Sequence, residues 1–71
     1  MMDNRILGEP HINAILGMEE VEAIIHLKKK GKSLRVVNKN GEGLMVSADI
    51  NPNRVNVWTR KGVISRLVNL G

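Results

Sequence analysis

A chain of 71 residues with no cysteine must hold itself together with one small hydrophobic core, and a core of that size supplies only a few kcal/mol unless disulfides or a metal reinforce it. Metal is no substitute here. The two histidines, His11 and His26, lack partners at the helical or finger spacing that a zinc site requires, so neither a metal nor another cofactor is expected. Hydrophobic residues make up 42% of the sequence, an ordinary globular amount, although Trp58 is its only aromatic. One folded domain follows.

The clearest local signal is helical. From about Asn13 or Met18 to Lys30, Met18, Val21, Ile24 and Ile25 recur at three- and four-residue spacing, which predicts one buried stripe. Glu19, Glu20 and Glu22 lie near the start of this segment and Lys28, Lys29 and Lys30 near its end, each sign where the helix dipole favours it. Gly31 fits the left-handed stop position. Before the helix, residues 1–12 have no period and Gly8-Glu9-Pro10 reads as a turn, so residues 1–16 are read as an arm, lying on the domain or partly loose, and residues 17–71 as the domain.

The rest of the chain reads as strands. Leu34 to Val37 is a short strand, and Asn38 to Gly43 has the turn composition that would end it. A second apolar stretch, Leu44-Met45-Val46, precedes the break at Asn51-Pro52-Asn53. Arg54 to Thr59 then alternates, with Val55 and Val57 on one face and Arg54, Asn56 and Trp58 on the other. A turn at Arg60-Lys61-Gly62 leads into a last strand, Val63 to Val68. The expected class is α+β: one helix packed on a small mixed β-sheet, burying Val21, Ile24, Ile25, Val36, Val55, Val57 and Ile64, with a long exposed loop between strands. That loop, Asn38 to Asn53, is unusually long for a compact domain, and long irregular connections are generally functional.

The segment Val46 to Gly71 resembles the C-terminal half of the potato inhibitor I family of serine protease inhibitors, especially its short microbial members, at Asp49, Pro52, Arg54, Val55, Asn56, Val57, Ile64, Leu67 and Gly71. The helix with its basic end and the strand Leu34 to Val37 match in order and approximate spacing, so the likeness spans roughly residues 17–71. The resemblance implies an inhibitor that offers a protease a rigid, substrate-like loop, Val46, Ser47, Ala48, Asp49 and Ile50, with the reactive bond between Ala48 and Asp49. It further implies loop support from Pro52, Arg54 and Asn56: Arg54 donating to the Asp49 carboxylate or to loop carbonyls, Asn56 bonding near Ser47, and Pro52 fixing one shoulder. Ala48 would enter the primary specificity pocket, where a single methyl suits subtilisin- or elastase-like proteases and offers nothing to a trypsin-like aspartate.

Charge and composition leave other readings beside this one. The net charge of +4 is uneven, because residues 1–26 carry one base and five acids whereas residues 27–71 carry ten bases and two acids. A basic half can meet an acidic protein or a phosphate backbone, yet the run Lys28 to Lys32 is explained more simply as a solvated helix end. Trp58, a possible partner contact, is a lone aromatic and fits core or rim packing better than a base-stacking platform. Two alternatives stay open: a scaffold reused to bind a non-protease partner, and a small basic nucleic-acid-binding module, with nucleic acid the less favoured partner. No nucleophile–base pair, phosphate loop or metal set can be assembled, so no enzyme is expected. Neither a signal peptide nor a membrane span is visible, and the chain reads as cytoplasmic or as a secreted form already trimmed.

Overall fold

The computed structural model describes residues 9–71, so the expected arm is described only from Glu9 onward. Its elements are helix α1 (Pro10–Asn13), helix α2 (Glu20–Lys28) and strands β1 (Ser33–Lys39), β2 (Glu42–Gly43), β3 (Arg54–Arg60) and β4 (Val63–Leu70). The strands form one sheet in the order β2-β1-β3-β4, in which β1 and β3 are parallel and the other neighbours antiparallel. The expected class, a helix on a small mixed sheet, is the one observed. Among the described residues no helix is long and apolar enough to cross a membrane.

Local chemistry sets the element ends. Helix α2 terminates as its sequence implies: Gly31 takes a left-handed φ of 70°, Lys32 N donates to the Leu27 carbonyl at 3.1 Å and Gly31 N to the Lys28 carbonyl at 3.0 Å. This double bond pattern is a Schellman stop. Two tight turns, Asn40-Gly41 and Lys61-Gly62, both run through positive φ at each residue, the backbone twist that suits two-residue hairpins. They also interlock, because Lys61 N donates to Asn40 Oδ1 at 2.7 Å.

The first of these turns shortens the irregular segment. Strand β1 continues through Asn38 to Lys39, and Glu42 and Gly43 pair back onto it, so the long connection is residues 44–53 rather than Asn38 to Asn53. A turn at Asn40-Gly41 needs only two residues. The remaining composition of Asn38 to Gly43 is compatible with a strand pair.

The core differs from expectation on its helical side. Val55, Val57, Ile64 and Leu67 of the sheet are buried, as are Ile12, Ile15, Ala23 and Leu27, while Val36 packs against them half-buried. Val21, Ile24 and Ile25, expected inside, are 67%, 42% and 55% exposed. The reason lies in the supposed arm. Ile12 and Ile15 fill sheet surface that the Val21 stripe was expected to cover, and Ala23 and Leu27, four residues apart on one helix face, meet the rest. Ile12 and Ile15, with Leu16 packed against them, thus belong to the core.

His11 and His26 explain how α1 is held to α2. Their rings stack with centroids 4.0 Å apart, His11 Nε2 lies 3.1 Å from the His26 carbonyl, and His26 Nε2 lies 2.8 Å from the His11 carbonyl. A carbonyl can only accept, so each Nε2 carries a proton. His26 is therefore a packed strut and not the plain surface residue its helical position suggests.

These burials have a measurable consequence. Ile15→Ala or Leu27→Ala is expected to remove about 2–4 kcal/mol of unfolding free energy, whereas Val21→Ala should change it by no more than about 0.5 kcal/mol. Chemical denaturation followed through Trp58 fluorescence separates the two outcomes.

Candidate functional site

Alternation along β3 creates the site. Val55, Val57 and Thr59 turn into the core, so Arg54, Asn56 and Trp58 turn to the opposite sheet face. On β1, Leu34 and Val36 pack toward the core and Arg35 shares the face of Asn56, its register partner across the parallel pair. Residues 44–53 are anchored over this layer at both ends. Leu44 N donates to the Val37 carbonyl at 2.9 Å, and the Asn53 carbonyl accepts from Ser33 N at 2.9 Å. Asn51 to Arg54 form a turn closed by Arg54 N to the Asn51 carbonyl at 3.0 Å and by Asn53 N to Asn51 Oδ1 at 2.9 Å. Pro52 sits second in this turn, where its fixed φ is favoured.

Two guanidinium groups hold the middle of the loop. Arg54 donates from Nη1 to Asp49 Oδ2 at 3.2 Å and from Nη2 to the Asp49 carbonyl at 2.9 Å, as expected. Arg35 donates from Nη1 to the Ser47 carbonyl at 3.1 Å and approaches Ser47 Oγ at 3.4 Å. Both arginines also share the Gly71 main-chain oxygen: Arg54 Nε and Nη2 donate to it at 3.1 and 2.7 Å, and Arg35 Nη2 at 3.3 Å. Gly71 is fixed in turn by its own N–H, which donates to the Arg54 carbonyl at 2.9 Å. The residues on either side of Ala48 are therefore pinned at their carbonyls. Among the described residues no side chain or backbone group hydrogen-bonds Ala48 itself.

Asn56 takes a different part from the one expected. It does not reach Ser47: its Oδ1 accepts from Arg35 Nε at 2.8 Å and its Nδ2 donates to Asn69 Oδ1 at 2.8 Å. It acts on the loop through Arg35, which reading the sequence missed. The signal was the alternation Leu34-Arg35-Val36, which becomes informative only once β1 and β3 are known to be adjacent and parallel. Asn56, although on the loop face, is only 6% exposed, so loop, arginines and Asn69 together make a small polar core of satisfied groups.

The remaining site residues are outward. Val46 is partly covered, while Met45 and Ile50 stand in solvent. Trp58 lies further along the same face of β3, half-exposed, with Arg66 Cζ stacked 4.9 Å from its ring centroid. That contact occupies one ring face with a cation and does not enter the loop clamp. The described residues contain no cluster of histidine, cysteine, aspartate or glutamate able to hold a metal ion.

The Asp49 carboxyl titrates below its ordinary value. The hydrogen bond from the Ser47 hydroxyl lowers it most, desolvation opposes that shift, and the positive charge and hydrogen bond of Arg54 lower it further. Ser47 Oγ to Asp49 Oδ1 thus closes a bridge across Ala48 from above, while the arginines close it from below. Comparison with protein-family models, with curated proteins and with solved structures finds no match.

A carboxyl whose pKa is depressed in the folded chain contributes fully above its ordinary value, and that contribution is lost as pH falls through the depressed one. The loop is therefore expected to loosen only in that acidic window, with faster backbone motion at Ser47 to Ile50 in NMR relaxation. Asp49→Asn should show the loosened loop already at neutral pH and no further change across the window.

Proposed function

We propose that this protein inhibits serine proteases, presenting Val46 to Ile50 as a preformed substrate with Ala48 at the primary specificity pocket and Ala48–Asp49 as the reactive bond. One observation carries the reading: the two carbonyls flanking Ala48 are held by separate arginines on a common anchor, and Ala48 is left unengaged. A protease binds extended substrate as an added strand, through main-chain hydrogen bonds. A segment already held in place loses little conformational entropy on docking, which raises affinity without adding contacts.

The same arrangement opposes turnover. Attack of a protease serine on the Ala48 carbonyl carbon forms an acyl-enzyme and breaks the bond to the Asp49 nitrogen, releasing an amine. In an ordinary substrate that amine diffuses away. Here Arg54 holds the Asp49 side and Arg35 the Ser47 side, so the amine stays beside the acyl carbonyl, re-attacks it and regenerates the peptide bond. Proximity of this kind is worth many orders of magnitude in effective concentration. The small Ala48 side chain favours subtilisin- or elastase-like targets.

Titration against subtilisin-, elastase-, chymotrypsin- and trypsin-like enzymes tests the proposal. Tight inhibition of the first two and none of the trypsin-like enzyme is expected. Ala48→Pro should abolish it, and Arg35→Ala or Arg54→Ala should weaken binding at least tenfold, about 1.4 kcal/mol, and convert the chain toward a cleaved substrate seen by mass spectrometry. Absence of inhibition at micromolar protein would leave the clamped loop as a binding surface for a non-protease partner.

A further inference from the structure

The outward face of α2 has no use in the core or in the loop clamp. Val21, Ile24 and Ile25 are 67%, 42% and 55% exposed, although apolar residues at this spacing on a helix ordinarily face something. Beside Ile25 runs a depression of about 240 Å³ lined by Met18, Glu22, Ile25, His26 and Lys29. The charges of this helix and its two ends are polarised along the axis: Glu19, Glu20 and Glu22 at one end, Lys28, Lys29 and Lys30 at the other. Glu22 and Lys29, seven residues apart, lie on one line along the helix and flank the same side of the stripe.

We infer that this face pairs with the same face of a second copy of the chain, the two helices running antiparallel about a two-fold axis. The charge pattern selects that occupant. A surface acidic at one end, apolar in the middle and basic at the other is complementary to itself once turned around, so each acidic end meets a basic end and the two apolar stripes meet at the centre. A phosphate backbone or an anionic membrane would be repelled by the three glutamates. In antiparallel helix pairs, positions on one flank face the same flank of the other helix, which sets Glu22 of each copy beside Lys29 of the other. One nine-residue helix gives a contact far below the roughly 1,200 Å² of stable complexes, so the dimer is weak and reversible. Because α2 covers the sheet face opposite the arginines, both loops point away from the contact and the dimer is bivalent whatever the loops bind.

Sedimentation equilibrium of the full chain from about 10 µM to about 1 mM reads this directly, with an expected dissociation constant of about 0.1–1 mM. Ile25→Lys, at an exposed position, should keep the circular dichroism spectrum and weaken association at least tenfold. Lys29→Glu should weaken it and added salt should do likewise, while the double variant Glu22→Lys with Lys29→Glu should restore it. A monomer throughout the range would overturn the inference. So would association that is indifferent to Ile25→Lys, or that depends on Ile25 but ignores both salt and the charge exchange, since the latter describes unspecific apolar contact.

Discussion

Two neighbouring strands that run parallel cannot be joined by a tight turn; the chain has to travel back the length of the sheet before the second begins. In most folds a helix makes that return. Here, between β1 and β3, it is made by a two-residue turn, the short strand β2 and the irregular residues 44–53. An irregular crossover of this length has much conformational freedom to lose. What holds it is supplied by the strands it connects, because their adjacency brings Arg35, Asn56 and Arg54 into one layer beneath it. The exposed loop and its support are two results of the same pairing.

How far the sequence reveals this follows from which signals are local. The alternation of β3 placed Arg54 and Asn56 on one face and Val55 and Val57 on the other, and the Arg54 contact with Asp49 spans only five residues, so both were legible. Arg35 reaches Ser47 and Gly71 across separations of 12 and 36 residues, and only the strand order reveals that. The helix misled for a related reason. Periodicity finds an apolar stripe without saying what covers it, and here Ile12 and Ile15, from a segment with no period of its own, took the place that Val21 and Ile25 were expected to fill. Ala23 and Leu27, the residues that do face the sheet, form too narrow a stripe to stand out. The turn at Asn40-Gly41 was legible as turn composition, but not that two residues sufficed.

Strand β3 separates stability from loop order. Its core face contributes apolar area, which is non-directional and tolerates small shifts, whereas its loop face contributes hydrogen bonds, which fail over a few tenths of an ångström. Arg54 is the tightest case: its side chain is only 14% exposed while Asp49 is 59% exposed. An exposed ion pair adds little to global stability. A guanidinium this buried needs acceptors on most of its donors, and the Gly71 and Asp49 carbonyls provide them along with the carboxylate. Its contribution is therefore to geometry more than to folding.

That division bears on why one oxygen serves both arginines. Two guanidiniums brought to one sheet face repel each other, and each would relax toward solvent if given separate acceptors. The Gly71 oxygen, fixed by the backbone bond of its own residue to Arg54, accepts from both and places partial negative charge between them. Asn56 restrains Arg35 from the other side, and Asn69 restrains Asn56. The end of β4 thus acts on a loop more than twenty residues earlier in the chain. Displacing Gly71 would remove the one acceptor that both arginines share, and so loosen together the hold on both carbonyls that flank Ala48, while the aliphatic core on the other side of the sheet kept its packing.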